Sequence, residues 1–377
     1  MSTDLDSKLT YDSHVHFFGV GLPAVDFIID QTATRLNLPA HLSDQELIRG
    51  FGWSKALPLK AFDQLCKKHP EKKFCLSYED GHSSFISQNL LAELKFKPKN
   101  GQLLPSGAII SEVERDQFYK LTPSHAPAEL EKMAIHAQQV FLENKITNVR
   151  HLTGNIDHWH CLQKMKNSNT LELEIEIFFS EFMGQSLDTA LEAFNQAQKD
   201  SSKQLAVKGL KIFYDGSFGS DTAYTSSNKK SKARLSKDEL IKKMEFVLIK
   251  NQIPLAVHTI GDLALEDIIF SYNSICKKNK NTPELHLEHA PVFTQKTLDL
   301  LEKEPLNCIF HFQPSHWIQD QQWYSKNQAA LNPHEIYPFD FLDKNNYEYH
   351  FGSDAPVVAP TKENTLKGLS VIKESKN

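Results

Sequence analysis

Eight short apolar runs, separated by stretches of helical periodicity, constrain the fold of this chain more than any other feature. They are "YDSHVH" from Tyr11, "ITNVRHLTG" from Ile146, "LELEIEIFFS" from Leu171 and "VKGLKIFYDG" from Val207, then "PLAVHTIG" from Pro254, "LHLEHAP" from Leu285, "LNCIFHFQP" from Leu306 and "YEYHFGSDAP" from Tyr347. Strands that alternate with helices build parallel β-α-β units, and eight such units close a barrel. The expected fold class is therefore α/β, a (β/α)8 TIM barrel. The intervening segments agree. "SKDELIKKMEFVLIKN" opens with Ser236 and Glu239 in capping-box spacing and sets Leu240, Ile241, Met244, Val247 and Leu248 along one helical face. "APAELEKMAIHAQQVFLENK" places Leu130, Ala134, Ala137 and Phe141 at helical intervals and is expected to feed the second strand.

One connection is too long for this plan. Between the first strand and that helix runs a segment from about Phe18 to Ser124, punctuated by "RGFGWSKALP" and "SYEDGHSSF". A structureless loop of that size is foreign to a compact domain, so an insertion with its own elements is expected. The reading is a barrel from residues 1–17 and 125–377 with an insertion over 18–124. Because the insertion leaves from the C-terminal mouth, where barrels of this type do their chemistry, it reads as a lid or a wall of the substrate pocket.

Charge and composition narrow the ligand. The 377 residues carry 42 basic and 47 acidic side chains, a formal charge of -5. So mild and evenly spread a balance excludes a nucleic-acid groove or a membrane patch and leaves small solutes. No apolar run approaches a membrane span, and "MSTDLDSKLT" lacks the layout of a secretory signal, so the expected location is cytoplasmic. Cys66, Cys75, Cys161, Cys276 and Cys308 are odd in number and show no C-x-x-C spacing, which points to reduced thiols.

Histidine placement is more informative. In an extended strand, residues i and i+2 face one side, so His14 and His16 present two imidazoles to a common space. Four other runs also end in metal-capable side chains: Lys211, His258, His289 and Asp354. Parallel strands bring such residues to one rim, and imidazole with carboxylate suits zinc or a similar divalent ion with a position left for water. Taken singly, each has a plainer reading as a hydrogen-bonded strand-end histidine, a snorkelling lysine or a turn aspartate.

In this order the series resembles the metal-binding series of the amidohydrolase superfamily. The segments "GFGW", "DGHS", "PSGAII", "LKIFYDGSFGSDTA", "HTIGDLA", "LEHA", "QPSHWIQD" and "FGSDAPV" resemble, in sequence order, motifs of its N-substituted formamide deformylase-like branch, amidohydrolase type 3, from about Tyr11 to Pro360. The resemblance implies that His14 and His16 hold one ion, that His258 and His289 hold a second, and that a carboxylated Lys211 bridges two zinc ions. It implies that Asp354, also a metal ligand, is the catalytic proton carrier, and that a metal-activated hydroxide cleaves an amide or related non-peptide C–N bond of a small molecule.

His82, Trp53, His316, Asp320 and Asp221 are implied as substrate-binding; Asp221 stands where similar proteins carry arginine, which should turn preference away from carboxylates. A mononuclear deaminase or an esterase or lactonase with an unmodified lysine is an alternative on the same scaffold, and a catalytically inactive ligand-binding barrel is another. Similar proteins usually carry a small β-sandwich flanking the barrel. With the first strand at Tyr11 and only "TKENTLKGLSVIKESKN" after the Asp354 motif, it is expected to be lacking, leaving barrel surface that a homo-oligomer could cover.

Overall fold

The computed structural model describes residues 9–79, 81–182 and 184–376. The eight runs form one eight-stranded parallel sheet whose spatial order follows the sequence: β1 (Tyr11–Val15), β2 (Asn148–Gly154), β3 (Glu174–Ser180), β4 (Leu205–Phe213), β5 (Leu255–Thr259), β6 (Leu285–His289), β7 (Cys308–Phe312) and β8 (Glu348–Phe351). The sheet curls back on itself just beyond β8, where Asp354 N donates to His14 O at 2.8 Å and His16 N to Ala355 O at 2.8 Å, with Val15 and Ala355 bridged in parallel. This is the (β/α)8 barrel expected from the alternation of runs, with its strand C-termini gathered at one rim.

Local sequence explains the surrounding layer. The helix Lys237–Met244 starts at the anticipated capping box, with Ser236 and Glu239 satisfying each other's backbone N–H groups, and it buries Leu240 and Met244. A π-helical turn, Glu245–Lys250, continues the buried stripe through Val247 and Leu248. Asn155, Ser186, Thr294 and Thr361 cap four further helices through their side-chain oxygens. No helix among the described residues is long and apolar enough to cross a membrane.

The chain divides into two compact units, one of residues 1–17 and 140–377, the other of 18–139. The second holds a mixed six-stranded sheet in the order Phe27–Ile28, Leu47–Trp53, Lys73–Tyr78, Ser83–Ser87, Gly107–Ser111, Gln102–Leu104, with Phe62, Phe74 and Phe85 in one core and Ile86, Ala108 and Phe118 in another. It extends beyond the expected limit at 124 and takes in most of the helix Pro127–Glu143. The physical reason is close contact with the Gly21 turn: a Cβ at Gly21 would stand 2.1 Å from the Met133 carbonyl oxygen, so only glycine lets the helix lie there.

Candidate metal centre

The two histidines of the opening run converge as period-two geometry requires. Val15 turns away and is fully buried, while the rings of His14 and His16 lie 5.5 Å apart beside Asp354. Asp354 Oδ1 is 2.9 Å from His16 Nε2 and 3.4 Å from His14 Nε2, and Oδ2 is 3.6 Å from His316 Nε2. His289 completes the ring of imidazoles, with centroids 4.7 Å from His14, 4.6 Å from His258 and 5.9 Å from His316. Ligand atoms of His14, His289 and Asp354 all fall within 4.8 Å of one another, a group able to hold a metal ion.

Lys211 is fully buried; its Nζ has no hydrogen-bond partner among the described residues and lies 5.2 Å from the Phe213 ring centroid. Gly352 makes the approach of β8 possible. A Cβ there would sit 2.6 Å from His14 N and 2.7 Å from its Cβ.

Residues 11–368 match the family model described as the amidohydrolase family. The chain belongs to that family. It is 23% identical over 404 residues to the Arabidopsis thaliana protein LONG AFTER FAR-RED 3, covering 95% of this chain and 67% of the plant protein. It is 25% identical over 174 residues to the putative amidohydrolase YtcJ of Bacillus subtilis (strain 168), covering 45% of this chain and 32% of that protein. In fold it is similar to an uncharacterized metal-dependent hydrolase from Pyrococcus horikoshii OT3, with a TM-score of 0.73 at 18% identity over 97% of this chain and 76% of the other. A counterpart from Pyrococcus furiosus gives 0.69 at 17% identity over 95% and 75%.

The electrostatics of this amidohydrolase rim suit a cation. Burial pushes His14 down to about 4, against the pull of Asp354. Burial also drives His289 well below the usual imidazole range, with His258 and His14 adding to it. Asp354 is pushed upward by burial, but His14, His16 and His289 around it hold it well below the usual carboxylate range. Neutral imidazoles beside an ionised carboxylate are the protonation states a metal requires of its ligands. Burial brings Lys211 down to about 8, Glu288 partly offsetting the fall.

Beneath the rim lie residues that motif reading passes over. Glu288 Oε2 is 2.6 Å from His14 Nδ1, and Glu288 Oε1 accepts from Arg150 Nη1 at 2.7 Å. Burial pushes Glu288 up, yet Arg150, His311, Lys211 and His14 together hold it well below its ordinary value. Its sequence signal is period two: in "LHLEHAP", His286 and Glu288 share a strand face, an odd pattern for a strand whose five residues are all buried. Thr153 Oγ1, 3.1 Å from His16 Nδ1, and Asp12, which accepts from Ser353 N at 2.9 Å, were equally silent in the motifs.

The expected outer residues are distributed unevenly. His316 sits in the cluster, on the short 3-10 turn after β7. Asp320 is half-buried one turn further on, in the helix Trp317–Asn327. Asp221 is exposed in a turn at φ +56°, its N–H bonded to Phe218 O. Trp53 and His82 belong to the second unit. Trp53 is packed between Phe62 and Tyr78 with its indole N–H donating to Leu76 O at 2.8 Å, which gives it a core role there. His82 is half-buried on the bend before the strand Ser83–Ser87.

Proposed function

We propose that this member of the amidohydrolase family is a zinc-dependent hydrolase of an amide or related C–N bond in a small molecule, with chemistry like that of the N-substituted formamide deformylase branch. The observation that carries the reading is the convergence of His14, His16, His289 and His316 on Asp354 beside a buried lysine amine, with the His258 ring against His289 at 4.6 Å and its Nε2 3.0 Å from Gly216 O. The donor set fits divalent cations: Lys211 Nζ and His289 Nδ1 are buried without hydrogen-bond partners among the described residues. His14 and His16 would hold one ion and His258 and His289 another, with Lys211 bridging once its neutral amine has added carbon dioxide and released a proton to become a carbamate. When bound, such ions polarise the substrate carbonyl and lower the pKa of water.

The chain's own residues supply the proton path. Asp354, ionised and flanked by imidazoles within 3.6 Å, would take a proton from the attacking water and return it to the leaving nitrogen. His316, with its Nε2 3.6 Å from the other oxygen, would donate to substrate. A mononuclear deaminase, esterase or lactonase is the second reading, favoured by the compactness of the His14, His289 and Asp354 group.

Metal analysis of purified protein, with hydrolysis assays on N-formyl amines, N-acyl amines and lactones, tests both. Two ions per chain, turnover of amides and a loss of about 10²–10⁴ in kcat for Asp354→Asn are expected. One ion with lactone turnover favours the second reading. Protein that binds no metal overturns both.

A further inference from the structure

We propose that Glu288 and Arg150 are positioning residues that preset His14 as a metal ligand, an inference that rests on the metal-dependent reading above. A carboxylate has no proton to give, so the 2.6 Å contact from Glu288 Oε2 requires the His14 proton to sit on Nδ1. The lone pair is then left on Nε2, the nitrogen that faces Asp354 at 3.4 Å. Imidazole bound to a metal commonly spends its other nitrogen on a carboxylate in this manner, which fixes both tautomer and ring orientation.

Arg150 makes the arrangement specific to His14. Its Nη1 donates at once to Glu288 Oε1 at 2.7 Å and to the Ser13 carbonyl at 3.1 Å, so one guanidinium nitrogen holds the carboxylate and the peptide immediately before His14. The guanidinium lies over the Phe178 ring at 4.1 Å, and neither Arg150 nor Glu288 exposes more than 1% of its side chain. Three strands, β1, β2 and β6, are thereby locked together around a single ring nitrogen. A buried ion pair of this kind adds little net stability compared with well-packed apolar side chains of similar volume, because desolvation consumes most of the attraction. What apolar substitutes cannot supply is the acceptor at His14 Nδ1.

The test uses full-length protein labelled with ¹⁵N-histidine, first stripped of metal and then titrated with zinc against a competing chelator. In the metal-free wild type, His14 is expected as the Nδ1–H tautomer. Glu288→Ala should shift that population toward Nε2–H and weaken zinc binding by about 10–100-fold. Glu288→Gln should fall between, because its amide oxygen still accepts. Removing Glu288 alone orphans the buried guanidinium; the double variant Glu288→Leu with Arg150→Met removes both charges and should show the same two losses if the single variant does not fold.

An unchanged His14 tautomer together with unchanged zinc affinity, in whichever variant folds, overturns the proposal. A wild type that binds no zinc while His14 keeps its Nδ1 proton overturns the metal-dependent reading instead, since the tautomer is read without metal.

Discussion

Asp12 offers a test of the buried electrostatics with a definite sign. The residue is 5% exposed, and its Oδ1 accepts from Ser353 N at 2.9 Å. Burial nevertheless lifts its pKa from 3.8 to about 7, with Asp354 adding to the rise and the Ser353 hydrogen bonds opposing it. A carboxyl raised on folding contributes stability that is complete below 3.8 and is lost as pH climbs through 7. The difference of about 3 pKa units corresponds to about 4 kcal/mol.

His14 works in the opposite sense: lowered from 6.5 to about 4, it contributes stability present above 6.5 and lost as pH falls through 4, about 3 kcal/mol. In the wild type these two contributions largely cancel across pH 4 to 7. Asp12→Asn keeps the acceptor for Ser353 and removes the carboxyl's titration. The metal-free variant should therefore be more stable than wild type by up to about 4 kcal/mol at pH 8, near parity at pH 4, and more steeply destabilised by acid in between. Urea midpoints at a series of pH values, read from tryptophan fluorescence, measure this. Profiles of variant and wild type that superimpose would refute the reasoning.

Three further outcomes follow from the same geometry. Gly352→Ala puts a methyl within 2.7 Å of the His14 backbone and Cβ, so a loss of about 1–3 kcal/mol in denaturant stability and weaker zinc binding are expected; an unaffected protein would show that the rim yields freely. With Lys211 at about 8, roughly a tenth of its amine is neutral at pH 7, against well under a thousandth for an ordinary lysine. ¹³C-labelled bicarbonate should therefore give a carbamate signal that grows as pH rises through 8 and is missing in Lys211→Arg. Adding zinc at about a hundred times its dissociation constant should stabilise the metal-free protein by about 2.7 kcal/mol, visible as a rise in Tm, and a flat thermal profile would count against the metal centre.

What could be read from the sequence depended on whether a residue announced itself through periodicity. The barrel was legible because eight short runs, each too short for a helix, recur between stretches of helical periodicity, and all eight runs became strands. His14 and His16 were legible for the same reason, since period two alone puts them on one side. The sheet of residues 18–139 was not, because strands such as "LIRGFGW" and "KFCLSY" mix charge, glycine and apolar residues without clean alternation. Arg150 and Glu288 were hidden by their context: a charged residue within a strand reads as an outward position, and only the closed sheet, with Glu288 on β6 reaching His14 on β1, shows that both point inward.

The placement of His289 follows from backbone conformation that residue patterns do not encode. Along β6, His286 reaches His311 on β7 at 2.9 Å and Glu288 reaches His14, so the even positions face the barrel interior. Strict alternation would then send His289 outward. It does not go, because the chain turns at that residue into the left-handed region, φ +73°, followed by Ala290 at +40°. Asp354, beyond β8, is held likewise at φ +58°.

Non-glycine residues in that region cost about 1–3 kcal/mol each and persist where surrounding contacts over-determine them. Here the contacts are hydrogen bonds across the rim, Ala290 N to Thr259 O at 2.8 Å and Asp354 N to His14 O at 2.8 Å. The result is that consecutive residues meet one imidazole in two ways: Glu288 through the Nδ1 of His14 at 2.6 Å, and His289 with its own ring 4.7 Å from the same imidazole. A regular strand could have supplied one of these but not both, so the strain at His289 is where the barrel's geometry is adapted to the cluster.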